Sequence, residues 1–380
     1  MPHGFKHKIE TLIRDDGPKG PSLFDALLRG LSKCYVQGVK IGNQLYERKL
    51  IHPRNLPCPV ISIGNITVGG TGKTPMTIYL ARECQKKGFR PLILSRGYKG
   101  SASGRGGMVS DGKEVFMGCR EAGDEPYMMA HLLPGVPVFV GKDRYETGLK
   151  AIKAFSPDLI LLDDGFQHRT LYRDLDILLF DASKPFGNGF LLPRGPMREP
   201  VAGIGRGHVF VLTRSRGVLD PVGHFKTCLR NMDVSDDILC KPVITSLHSP
   251  QLRCVIQAGT GHVLPWNSRT MSPGSVFAFS GIADNGGFRE SLVHLGFHVE
   301  DYMAFSDHHP YNQEDLDAVA KKAADSGVSV IVTTEKDFSR IQKMIRFPLD
   351  LLVMGIDIAF DQKEDDLLDL VFSRVRQNTL

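Results

Sequence analysis

The stretch 61–75, ISIGNITVGGTGKTP, constrains this chain more than any other. An apolar run at 59–63 reads as a short strand, and it passes through a glycine-rich turn into Gly72-Lys73-Thr74, where a helical pattern begins with Pro75 near its first turn. Proline is harmless there, because the first N–H groups of a helix have no intrahelical partner in any case. Gly69, Gly70 and Gly72 let successive backbone N–H groups converge, and the helix N-terminus adds the positive end of its dipole, so strand, turn and helix together make a cradle for phosphate oxygens. The residues expected to line it are Thr67, Val68, Gly69, Gly70, Thr71, Gly72, Lys73 and Thr74, with Lys73 reaching the β- and γ-phosphates and Thr74 offering a hydroxyl to Mg²⁺. The position six residues before the lysine, usually glycine, is Thr67 here.

Downstream, strand-like and helix-like runs alternate. The helix continues over 76–87 and Gly88 suits its C-terminal stop. Strands are expected at 90–95, 136–140 and 157–162, and Asp111-Gly112 between apolar runs signals a hairpin. The basic, glycine-rich segment from Arg96 reads either as a lid over an anionic ligand or as an ordinary mobile connection. Asp124 and Glu125, just before a helical run, are either caps that suit the helix dipole or a base and a metal contact. The apolar strand ending in Asp163-Asp164 places a carboxylate beside the cation that Thr74 would hold, which is meaningful because a phosphate loop precedes it. The alternation argues a mostly parallel sheet covered by helices on both faces, with ligands at the carboxyl ends of the strands.

At 380 residues the chain exceeds one typical core, so two domains are expected. The first, 1–205, carries the phosphate loop. The second, 206–380, is a smaller α/β domain that starts at strand 208–213, contains strands at 275–279, 328–333 and 351–354, and ends in a helix at 364–377 that packs back on one of the domains. Residues 1–20 lack the apolar core of a signal peptide, so export is not expected. Residues 22–50 read as one long helix or two shorter ones, with Leu23, Phe24, Leu27, Leu28, Leu31, Tyr35 and Val36 at helical spacing. Charges at Asp25, Arg29, Lys33 and Lys40 exclude an uninterrupted membrane span, leaving a helix packed on its own domain or one lying in a membrane interface. The mild balance of 47 basic against 42 acidic residues, with no basic run interleaved with aromatics, does not call for nucleic acid. Seven cysteines without a Cys-x-x-Cys pair suggest reduced thiols and no zinc site.

The phosphate loop, SRGY (95–98), GDEP (123–126), GKDR (141–144), DDGFQHR (163–169), LLPRGPMREP (191–200), SDHH (306–309) and TTEKD (333–337) together resemble the tetraacyldisaccharide 4'-kinase family. The blocks keep the family's order from about 59 to 337, and Thr67 at the degenerate glycine position suits it; residues 1–55 and 218–273 carry no such motif. The resemblance implies a P-loop α/β kinase with ATP in the cleft between its domains. It would phosphorylate the 4'-hydroxyl of a tetraacylated glucosamine disaccharide 1-phosphate, the lipid A precursor, at the cytoplasmic face of the inner membrane, using Mg²⁺. No protein partner is deducible.

Carried over by motif, Asp124 resembles the base, Lys73 and His308 further catalytic residues, and Asp163, Asp164 and Glu125 acidic metal-site residues. Tyr98, Arg144, His168, Arg198 and Glu199 would line the substrate or nucleotide site, where a disaccharide phosphate needs forked cationic donors. His308 is chosen over its neighbour His309 by the resemblance alone. Asp124 and His308 fall in different halves of the sequence, so domain closure is expected to bring them together as a pair. The competing readings are a P-loop ligase or kinase acting on a soluble substrate, and a nucleotide-dependent switch. The latter lacks the Asn/Thr-Lys-x-Asp signature, since Asp337 follows Lys336 directly.

Overall fold

In a computed structural model that describes residues 23–266, 274–344 and 347–377, the apolar run before the phosphate loop is strand β1 (Val60–Gly64). β1 is buried along its whole length, between parallel neighbours β5 (Leu159–Asp163) and β6 (Leu175–Asp181). The register pairs Ile61 with Leu161 on one side and with Leu175 on the other. Strands covered on both faces need apolar residues at every position, which is why these runs are continuous rather than alternating. Beyond β5 lies β2 (Pro91–Ser95), and beyond β6 lies β7 (Val209–Thr213) and then the first residues of β8 (Val243–Ile256), all parallel.

β7 corrects the expectation that the second domain starts at 208. It pairs with β6, Leu179 opposite Val211, and the Thr213 hydroxyl donates to the Thr71 carbonyl oxygen at 3.0 Å, so it belongs to the phosphate loop's own sheet. A buried parallel strand carries the same apolar pattern whichever sheet it joins, so only pairing shows its place. Under these strands Phe180, Phe186, Phe210 and Phe225 form an aromatic core, with Phe180 and Phe225 centroids 4.8 Å apart. Helix α2 (Lys73–Lys86), which follows β1, ends as expected, Gly88 taking the left-handed conformation (φ 85°).

The chain forms two compact units that interleave in sequence. One holds the strands above and comprises the residues up to Arg96, Asp143–Leu247 and the residues from Ala359 onward. The other comprises Gly97–Lys142 and His248–Ile358, so one boundary at 205/206 does not describe the division. The final helix, α11 (Glu364–Gln377), packs in the first unit, where Phe372 stacks on Phe89 at 5.6 Å.

The second unit has its own parallel sheet, in the order β11 (His298–Ala304), β10 (Ser275–Ser280), β12 (Val330–Thr334), β13 (Asp350–Phe360). β8 follows β13 and pairs antiparallel with β9 (Val263–Pro265). Its core gathers Phe277, Phe279, Tyr311, Val319, Ile331 and Leu351. The unit also contains the antiparallel pair β3 (Gly107–Ser110) and β4 (Val138–Val140) and the short helices α3 (Cys119–Ala122), α4 (Asp124–Leu132) and α10 (Glu335–Ile341).

The N-terminal segment is a single helix, α1 (Leu23–Glu47), and it is docked on the first unit by polar contacts. Asp25 pairs with Arg29 at 2.6 Å and with the buried Arg194, Ser32 Oγ donates to the Leu191 carbonyl at 2.8 Å, and the Tyr35 hydroxyl donates to the Arg198 carbonyl at 2.8 Å. Leu28 is buried, whereas Leu23, Leu27, Leu31 and Ile41 remain exposed, Leu27 at 58%. No described helix is long and apolar enough to cross a membrane.

Candidate active site

The phosphate loop is held in shape from outside itself. Val68 N donates to the Pro196 carbonyl and Arg198 N to the Ile66 carbonyl, both at 2.7 Å, while Asn65 Nδ2 donates to Thr71 Oγ1 at 2.8 Å. Gly69 and Gly72 sit at φ 120° and 86°, conformations that side chains disfavour, and a Cβ on Gly64 would lie 2.5 Å from Phe166 Cβ. Thr67 needs no such freedom: it has no positive φ and forms an antiparallel bridge with Met197, which explains how the loop tolerates a residue other than glycine there. α2 starts at Lys73 behind a glycine cap, so its first N–H groups are offered to a ligand rather than to a capping side chain.

Opposite this loop in the same unit, β5 delivers its two aspartates. Asp163 is buried and accepts from Thr77 Oγ1 at 3.1 Å. Asp164 leaves the strand in a left-handed conformation (φ 50°), accepting from Arg198 Nη1 at 3.0 Å and lying 3.8 Å from Lys73 Nζ. Burial pushes the Asp164 carboxyl up, but Lys73, Arg198 and Arg144 outweigh it and hold the group below the usual carboxylate range. Among the described residues, no group of three or more His, Cys, Asp or Glu forms a metal cluster. The oxygen-only set of Thr74, Asp163 and Asp164 still fits a hard cation such as Mg²⁺, which keeps waters and substrate oxygens as its remaining ligands.

The expected substrate residues of this unit are networked. Arg198 also donates to Gln167 Oε1 at 3.2 Å; Gln167 Nε2 in turn donates to the Asn65 carbonyl and to Glu199 Oε1 at 2.7 and 2.9 Å. Glu199 is buried, with Oε2 accepting from Arg206 at 2.6 Å, so its carboxylate orients Gln167 and the arginine beside it. Arg144 lies 3.3 Å from His168 Nδ1. Burial, then Arg144 and Arg173, push His168 down to about 4, so the imidazole is neutral at pH 7, while burial and Arg96 lower Arg144 only to about 10. Arg144 therefore stays cationic, as a site for an anion requires.

The second unit builds a separate cluster around Asp124, at the start of α4. Asp124 Oδ2 lies 2.7 Å from His308 Nδ1 and accepts from Arg340 Nε and Nη2 at 2.9 and 2.6 Å. The expected pairing of Asp124 with His308 is thus formed within one unit, and the expectation that domain closure must assemble it is corrected. Linear order misleads here because Gly97–Lys142, although flanked by segments of the first unit, folds with His248–Ile358. Burial pushes the Asp124 carboxyl up, but the bonds to His308 and Arg340 prevail and hold it well below the usual range. An ionised carboxylate only accepts, so Nδ1 of His308 carries the proton and Nε2, 3.3 Å from Lys336 Nζ, is the acceptor in that contact. Lys336 also lies 3.8 Å from Glu125 and 3.6 Å from Asp307, and the Tyr98 ring meets the His308 ring edge-on at 5.8 Å. His309 turns to Asp315 instead, at 2.9 Å, which separates the two adjacent histidines.

Sequence reasoning assigns no role to Gln167, Arg206, Cys119, Lys336 and Arg340. Gln167 and Lys336 fall inside the DDGFQHR and TTEKD blocks, which is the signal that could have found them, whereas Arg206, Cys119 and Arg340 lie outside every block.

Against known proteins, the family model described as Tetraacyldisaccharide-1-P 4'-kinase (LpxK) matches residues 24–375. A tetraacyldisaccharide 4'-kinase of Syntrophus aciditrophicus is 38% identical over 93% of this chain and 94% of its own length. One of Syntrophobacter fumaroxidans is 41% identical over 83% of this chain and 80% of its own length. The crystal structure of LpxK from Aquifex aeolicus, described as an "apo" form in complex with ATP, superposes with a TM-score of 0.70 at 32% identity, covering 93% of this chain and all of that one. With a family match across nearly all of the described residues, relatives aligned over most of their length and a shared fold, this chain belongs to the tetraacyldisaccharide-1-P 4'-kinase family.

Proposed function

We propose that this kinase takes the γ-phosphoryl group of ATP held at the glycine loop and transfers it to the 4'-hydroxyl of a tetraacyldisaccharide 1-phosphate, whose proton passes to Asp124. The observation that carries the assignment is how the Asp124 carboxylate is occupied. Oδ2 faces three nitrogen contacts, whereas among the described residues Oδ1 meets only the Cys119 thiol at 3.3 Å, so Oδ1 is the oxygen with lone pairs left for a hydroxyl. A carboxylate with a depressed pKa is a weak base, yet it is ionised at neutral pH, and the loose transition state of phosphoryl transfer asks for little proton removal before the phosphoryl group moves. His308 fixes the ring-side oxygen of that carboxylate. Lys73 and the loop N–H groups bind the phosphates, and Arg144 and Arg198 supply cations to the anionic ligands. Thr74, Asp163 and Asp164 would hold Mg²⁺, which neutralises phosphate charge when bound. Purified protein given ATP, Mg²⁺ and the tetraacyldisaccharide 1-phosphate in detergent micelles should form the 1,4'-bisphosphate; absence of transfer to that acceptor would overturn the assignment.

The acceptor carries four acyl chains, and α1 suits a site of action at the cytoplasmic membrane face. A helix docked by polar groups that leaves Leu23, Leu27 and Leu31 in water, with Lys33, Lys40 and Arg48 exposed, has the pattern of an interfacial helix whose leucines enter the acyl boundary and whose cations meet lipid phosphates. Replacing Leu27 and Leu31 with glutamate should move the protein from anionic vesicles into solution while leaving its circular dichroism and melting temperature unchanged. Undiminished sedimentation of the folded double variant with vesicles would assign the stripe another role.

A further inference from the structure

The reading of Asp124 as the proton acceptor leaves a question that the surrounding residues answer: what determines which carboxylate oxygen meets the hydroxyl. Arg340 lies on α10 with its side chain nearly buried, at 7% exposure, and its guanidinium is committed on two sides. Nε and Nη2 donate to Asp124 Oδ2, while Nη1 donates to Asp337 Oδ1 at 2.8 Å and to the Gly281 carbonyl at 3.1 Å. Asp337 is fully buried and anchored in turn: Oδ2 accepts from Gly281 N at 3.0 Å and from Thr334 Oγ1 at 2.7 Å, and Oδ1 accepts from the Tyr311 hydroxyl at 3.1 Å. Gly281 closes the circuit, because its carbonyl also accepts from His308 N at 3.1 Å, tying the backbone of the left-handed His308 (φ 60°) to the same anchor.

Resting on that reading of Asp124, we propose that Arg340, anchored by the buried Asp337, is a positioning residue that grips Asp124 by Oδ2 and reserves Oδ1 for the acceptor hydroxyl. A buried Asp337 without its guanidinium would be an uncompensated charge, and an Arg340 without Asp337 would lose the support that sets its plane, so the two act together. The grip fixes the rotation of the carboxylate. Among the described residues, the groups in contact with Asp124 are Cys119 from α3, His308 from the loop after β11 and Arg340 from α10, and Arg340 is the fixed cation of the three.

Arg340→Gln should lower kcat by roughly 10- to 10²-fold, as misplacement of a reacting group does, and leave the KM for ATP unchanged. Arg340→Lys, which keeps a charge but not the fork, should lose turnover with the same split between kcat and KM, and it carries the test if the glutamine variant does not fold. Folded Arg340→Gln or Arg340→Lys enzyme with wild-type kcat overturns the positioning role, while inactive Asp124→Ala enzyme in the same assay would leave the reading of Asp124 standing. Wild-type turnover in Asp124→Ala would instead remove the reading on which the role rests.

Discussion

Asp124→Ala and His308→Ala should each lower kcat by roughly 10²- to 10⁴-fold, the range for general-base catalysis, with ATP affinity kept because the proposed nucleotide contacts are the glycine loop and Lys73. A sugar hydroxyl is a poor nucleophile, and on the proposed reading Asp124 takes its proton at Oδ1. His308 shares Asp124 Oδ2 at 2.7 Å, so its removal takes away one of the two side chains that hold that oxygen and leaves the carboxylate to Arg340 alone. Two residues that act on one oxygen are one device, and the double variant should lose much less than the product of the two single losses. Steady-state turnover of the single and double variants, with ATP binding followed by titration calorimetry, makes the comparison. Fully multiplicative losses would show that the residues work independently, and a His308→Ala enzyme with wild-type turnover would sink the pair.

Lys73→Ala should cost roughly 10²- to 10³-fold in kcat, the scale for removing one preorganised charge from a developing transition state. Lys73 is the first residue of α2, so its side chain leaves from the point where the loop N–H groups and the helix dipole already converge. Arginine should not restore full activity, since a planar fork does not replace a compact ammonium on a flexible stem. The variant has a second consequence, visible without substrate. Lys73 is the leading cation holding the Asp164 carboxyl down, so in its absence Asp164 should titrate at higher pH, read from its side-chain carbon shift. Near-normal turnover of the folded variant would remove the phosphate loop from the mechanism.

The residues whose role follows from local backbone chemistry were legible in the chain itself. A strand, three glycines and Gly-Lys-Thr at a helix start can be read in order because loop, dipole and lysine lie within fifteen residues, and Asp163-Asp164 could be read because it ends an apolar strand. The long N-terminal helix was legible from its spacing, but not which of its faces would be covered: the structure docks it through Asp25, Ser32 and Tyr35 and leaves most of the leucines in water. Parallel strand order was illegible for a similar reason. β7 and β10 are both short buried apolar runs, and only hydrogen bonding assigns the first to the phosphate loop's sheet and the second to the other unit. The resemblance to a family brought Asp124 and His308 onto one page, yet tertiary structure alone put Gly97–Lys142 with the later segment and so made their 2.7 Å contact part of a single unit. Arg340 stands 216 residues from the carboxylate it grips, a separation at which sequence carries no distance information, and a buried arginine is distinguished from a surface one only by the aspartates that the fold brings to it.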